Sequence, residues 1–145
     1  ATDKIRENSL NFFTTFTNKN YVLEKIDFCL GQVGLIEANN QPVASLSHGD
    51  CRKLEIAMAL ASDAKLLLLD EPMAGLGPSE TQEMISLLNK LKGKQTILLV
   101  EHDMDAVFAL ADRISVLVSG EIIATGEPNN IRRDSKVQKA YLGEA

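Results

Sequence analysis

Two short apolar runs, Leu66-Leu67-Leu68-Leu69 and Ile97-Leu98-Leu99-Val100, constrain this chain more than any other feature. Each is four residues long, whereas a helix needs roughly 20 apolar residues to cross a bilayer. Each leads directly into ionisable residues, Asp70-Glu71 after the first and Glu101-His102 after the second. Runs of this kind read as strands buried on both faces. Between them, Pro78–Leu91 reads as a helix. Pro78 suits its first turn, Met84, Leu87, Leu88 and Leu91 form its stripe, and Gly93 ends it. Strand, helix, strand predicts an α/β sheet covered on both faces. Ligands of such sheets bind beyond the carboxyl ends of the strands. The two ionisable pairs are therefore the first candidates for chemistry.

The remaining pattern is consistent with this reading. Asp103 can cap a helix with the face Met104, Val107, Phe108 and Ala111. Ser119-Gly120 reads as a hairpin turn between Ile114–Val118 and residues 121–125. Asp134 can cap a last helix carrying Val137, Ala140 and Tyr141. Upstream of residue 62 the reading is helical. One amphipathic segment carries Leu10, Phe13 and Phe16, and a second carries Val22, Ile26, Cys29, Leu30 and Val33 before a stop at Gly34. Residues 37–45 read as a loop, and a third helix from about Gly49 has the stripe Leu54, Ala57, Met58 and Ala61. The expected division is residues 1–61, helical, and residues 62–145, α/β.

Composition narrows the function classes. A net charge of −5 and a pI near 5.0 lack the basic excess of a nucleic-acid binder. Apolar residues make up 45%, enough for a packed core rather than a disordered chain. Cys29 and Cys51 have no metal-type spacing and are too few for a disulfide framework.

Three places can carry chemistry. After the first strand, one of Asp70 and Glu71 can hold Mg²⁺, a cation that prefers hard oxygen ligands, and the other can orient or deprotonate an attacking water. A plain strand end turning polar would look the same. At Leu46-Ser47-His48-Gly49-Asp50, a helix start offers free N–H groups and a partial positive charge to an anion. Ser47 adds a hydroxyl, and Gly49 permits close approach to the backbone; an ordinary serine cap has the same sequence. His102 can donate to a phosphate or to water, or can be a structural histidine. Glu101-His102-Asp103 is a poor metal cluster, because adjacent residues splay apart.

In order, these elements resemble the motifs of the ABC ATPase family. Leu46-Ser47-His48-Gly49-Asp50 is similar to the LSGGQ signature, and residues 66–72 to the Walker B strand with its glutamate. Residues 74–81 are similar to the D-loop, and residues 101–105 to the switch-histidine loop. The resemblance covers nearly the whole chain. It implies the C-terminal part of a P-loop (RecA-like) ABC ATPase core plus most of its helical subdomain. It further implies that Asp70 helps hold Mg²⁺, Glu71 is the catalytic base and His102 contacts the γ-phosphate. Ser47 and Gly49 would touch the γ-phosphate of ATP held by the opposite subunit, because two subunits of this family face head to tail. The implied partners are a second ATPase subunit, identical or different, and transmembrane permease subunits, with no nucleic acid. The implied location is peripheral, on the cytoplasmic face of the membrane.

His48 and Asp50 replace the Gly and Gln of the signature, and Gly77 stands where many members carry an Asp. No G-x-x-x-x-G-K-[ST] run and no recognisable glutamine loop occur. By family order both are expected upstream of Ala1, which makes this stretch a fragment without its own phosphate nest. Apolar strand faces are then expected to lack neighbours and the fragment to be marginally stable alone. The tail after residue 126, with residues 54–60 and 101–108, is similar to ATPases of branched-chain amino-acid importers. Urea importers and lipopolysaccharide exporters have closely similar tails. Alternatives to a transport motor are a regulatory module supplying only the signature in trans, or a soluble ABC ATPase acting on DNA or ribosomes. The acidic balance opposes the last of these.

Overall fold

A computed structural model describes residues 19–142, and its first helix, α1 (Lys19–Val33), stops at the expected glycine. Gly34 takes a φ of +78°, and the Gly34 and Leu35 N–H groups donate back to the Gly31 and Leu30 carbonyls. This pair of bonds is a Schellman cap, which needs a left-handed residue. The segment expected at Leu10, Phe13 and Phe16 lies outside the described residues, as do residues 143–145.

The chain divides into two compact units, residues 1–67 and 68–145. In the first, α1 packs against α2 (His48–Ala61), and two short 3₁₀ turns, Ile36–Ala38 and Val43–Ser45, occupy the expected loop. Cys29, Val33, Leu35, Ile56 and Ala57 are buried. The α2 stripe differs from the expected one, since Met58 is 67% exposed while Ile56 is 3% exposed. α2 is apolar over a broad arc, and spacing alone does not choose which part of that arc faces α1. Val22 and Ile26 of α1 are likewise exposed.

The second unit holds the strand–helix–strand element. β1 (Leu66–Asp70), within which the division falls, pairs with β2 (Thr96–Val100), and α3 (Pro78–Leu91) connects them. Glu80 accepts the Gly77 N–H at 3.0 Å, closing the start of α3. The expected stripe Met84, Leu87, Leu88 and Leu91 is buried. Gly93 turns the chain at a φ of +89°. The expected cover on both faces of the strands is not met among the described residues. Leu67 is buried, but Leu66, Leu68, Leu98 and Val100 are exposed. Strands that are apolar on both faces have a neighbour on one side only.

α4 (Met104–Leu110) precedes the antiparallel hairpin of β3 (Ile114–Val118) and β4 (Glu121–Gly126). Ser119 and Gly120 have φ of +48° and +85°, so the two-residue turn is left-handed at both positions, as a twisted hairpin prefers. A bulge between Val116 and Leu117 shifts the register, an irregularity with no sequence signal. Ile114, Val116, Ile131 and Val137 form a core cluster against which Val107, Phe108 and Ala111 pack. Ile131 belongs to a helix the sequence reading missed, α5 (Pro128–Arg133). Asp134 caps α6 (Ser135–Val137), which continues as a wider turn, Gln138–Leu142. The Tyr141 hydroxyl donates to the Leu117 carbonyl at 2.7 Å.

Candidate functional site

Both apolar strands end at one place. The Glu71 N–H donates to the Val100 carbonyl at 2.8 Å, which extends the β1–β2 pairing by one residue. With the C-terminal ends of both strands adjacent, the strands run in the same direction, as a helical crossover requires. Glu71 then leaves the sheet in a left-handed conformation, φ +45°, rare for a residue with a side chain. Strand alternation points successive side chains to opposite faces. It governs Asp70, the last residue of β1, but not Glu71, which already belongs to the turn. The turn is closed by the Ala74 N–H donating to the Glu71 carbonyl at 3.0 Å.

His102 lies two residues beyond β2, and its Nδ1 is 3.3 Å from Glu71 Oε1. Both side chains are more than half exposed, so water reaches the pair freely. Asp103 follows, and its Oδ1 accepts the Asp105 and Ala106 N–H groups at 3.0 and 3.1 Å, fixing the start of α4. Glu101, a candidate in the sequence only through its pairing with His102, has a role of its own here. Its Oε1 accepts the Met73 N–H at 2.9 Å, and its Oε2 faces the His102 and Asp103 N–H groups at 3.1 and 3.4 Å. Bonds from a carboxylate to backbone leave no residue pattern, and only the adjacency of Glu101 to His102 hinted at it.

Asp70 has an exposed carboxylate at the strand end. Among the described residues no group of three or more His, Cys, Asp or Glu side chains could enclose a metal. Mg²⁺ does not need such a cage. It commonly binds through one or two carboxylates, substrate phosphates and water. A single exposed aspartate fits that requirement. Within the Glu101-His102-Asp103 run, both Glu101 oxygens and one Asp103 oxygen accept backbone N–H groups.

Ser47 and Gly49 lie in the first unit. Ser47 Oγ accepts the Asp50 N–H at 3.0 Å, so Ser47 is the N-cap of α2. Capping uses one lone pair and leaves the hydroxyl proton free to be donated. Ser47 is exposed, whereas Gly49 is buried. No helix among the described residues is long and apolar enough to cross a membrane.

Comparison with known proteins agrees with the order of these elements. The ABC transporter family profile matches residues 2–74, and that of the branched-chain amino acid ATP-binding cassette transporter matches residues 121–145. Over 125 residues, 85% of this chain, the sequence is 43% identical to LivG of Escherichia coli K12, a high-affinity branched-chain amino acid transport ATP-binding protein. It is 43% identical over 118 residues, 80% of this chain, to BraF of Pseudomonas aeruginosa, which bears the same description. The matches cover 49% and 46% of those proteins, so the chain spans about half the length of the curated relatives it matches. An ATP-binding cassette of an ABC transporter, solved in its ADP conformation, superposes with a TM-score of 0.74 at 33% identity, over 83% of this chain and 50% of that one. The chain belongs to the ABC transporter family of ATP-binding proteins.

Proposed function

We propose that the whole protein is an ATP-hydrolysing motor that drives a transmembrane permease for branched-chain amino acids, and that this stretch supplies the water-activating part of its site. The observation carrying this reading is the Glu71 carboxylate held 3.3 Å from His102 Nδ1 where two strands end. Glu71 accepts a proton from water as the water oxygen bonds to the γ-phosphorus of ATP. The bond from that phosphorus to the bridging oxygen breaks, and ADP leaves. His102 faces Glu71 through Nδ1, and its other nitrogen, Nε2, would donate to a phosphate oxygen. Asp70 would hold Mg²⁺, which supplies neutralisation of phosphate charge when bound. Ser47, with its hydroxyl proton free, would donate to the γ-phosphate of ATP on a second ATPase subunit, with the Gly49 backbone beside it.

The sequence of residues 1–145 contains no G-x-x-x-x-G-K-[ST] run. Titrating the 145-residue chain with a fluorescent ATP analogue and Mg²⁺ is expected to show no binding, and micromolar binding would refute this division of labour. The cargo is tested with the whole ATPase and its permease reconstituted in vesicles. ATP-dependent uptake of leucine, isoleucine and valine, without uptake of urea, is expected. Uptake of urea alone, or extraction of lipopolysaccharide, would contradict the cargo assignment. A membrane-peripheral location follows from the same reading.

A further inference from the structure

We propose that Glu101 is a positioning residue for Glu71, a role that rests on the reading of Glu71 as the base. Glu71 holds a left-handed backbone conformation that side chains adopt rarely, and such residues persist where the surroundings over-determine them. Among the described residues, three of the bonds in this turn bear on Glu71. The Glu71 N–H is tied to Val100, and the Glu71 carbonyl accepts from Ala74. The third restraint is the only one of these made by a side chain. Glu101 Oε1 accepts the Met73 N–H at 2.9 Å, two residues beyond Glu71. The other oxygen of the same carboxylate accepts the His102 N–H at 3.1 Å.

One partly buried carboxylate thus holds both halves of the pair. It pins the turn that carries Glu71 and the backbone that carries His102, and the two side chains meet at 3.3 Å. Bonds from backbone N–H groups to an ionised carboxylate are short and strong. Glu101 touches neither water nor phosphate in this scheme; it sets where the base sits.

The test uses the whole ATPase carrying Glu101→Ala, Glu101→Gln or Glu71→Gln. A misplacement of about 1 Å costs about 10²-fold in rate. Glu101→Ala is therefore expected to lower kcat about 10²-fold with KM for Mg·ATP nearly unchanged. Glu101→Gln keeps its one oxygen for Met73 but turns an NH₂ donor toward the His102 and Asp103 N–H groups, so it is expected to recover only part of that loss. Hydrogen exchange at the Met73 amide gives a readout independent of turnover. It should quicken in Glu101→Ala and stay slow in Glu101→Gln. Unchanged Met73 exchange, or kcat and KM failing together in both variants, would overturn the proposal. An inactive Glu71→Gln beside a fully active Glu101→Ala would overturn the clamp alone, whereas normal turnover in Glu71→Gln would overturn the reading of Glu71 and this role with it.

Discussion

Replacing Asp103 with Ala removes the oxygen that satisfies two N–H groups at the start of α4, at 3.0 and 3.1 Å. Loss of an N-cap costs about 1 kcal/mol, within a range of roughly 0.5–2. The negative charge at the helix start adds about 0.3–1 kcal/mol. α4 has only seven residues, and although Ala106 and Leu110 are buried and Val107 and Phe108 pack against the hairpin core, the cap is what satisfies the free N–H groups of its first turn. The total, about 1–2 kcal/mol, corresponds to roughly 5–30-fold in an opening equilibrium. Native-state hydrogen exchange of the whole protein reads this locally. Amides of α4 should exchange about 5–30-fold faster in Asp103→Ala, while those of β3 and β4 keep their rates. Asp103→Asn retains the acceptor and loses the charge, so its change should be roughly 2–5-fold. Unchanged α4 exchange in Asp103→Ala, or an Asn variant as loose as the Ala one, would refute this account of the turn after His102.

Substitutions at three further positions test other parts of the account. Ser47→Ala should cost about 1 kcal/mol in α2, while Ser47→Asp keeps a capping oxygen and the helix. If Ser47 also meets a phosphate, the new negative charge lowers ATP turnover despite the intact helix; wild-type turnover in Ser47→Asp leaves Ser47 a cap alone. Leu88→Ala, at a side chain 1% exposed, should cost about 2–5 kcal/mol by denaturant titration, and a cost under about 1 would refute the packing of α3. The hydrogen bond to Asp63 raises the Lys25 ammonium above its ordinary 10.5. A raised folded value means the stabilisation is complete below 10.5 and is lost as pH climbs through the higher value. The stability gap between wild type and Lys25→Met should therefore be flat through neutral pH and close only in strong alkali. A gap that closes near neutrality would contradict this.

What the sequence revealed depended on whether one residue type had to occupy a position. Gly34 and Gly93, at φ of +78° and +89°, mark real helix ends, and Ser119-Gly120 is a real hairpin turn, because left-handed positions restrict the choice of residue. The α3 stripe was legible because the polar residues around it leave one apolar face. α2 was not, since Ile56, Met58 and Leu60 spread its apolar surface and only packing against α1 decides between them. α5 escaped notice because it buries a single residue, Ile131. At the site, motif order pointed to Asp70, Glu71 and His102. The left-handed turn at Glu71 and the bonds from Glu101 lay beyond it, since both depend on backbone groups that every sequence shares.

The central claim is that Glu71, paired with His102, activates the water that attacks ATP. Steady-state ATP turnover by the whole protein carrying Glu71→Gln, measured beside bound nucleotide, tests it directly. The amide keeps the size of the side chain and removes the base, so turnover should be nearly abolished while ATP stays bound with Mg²⁺. Turnover at the wild-type rate would contradict the claim.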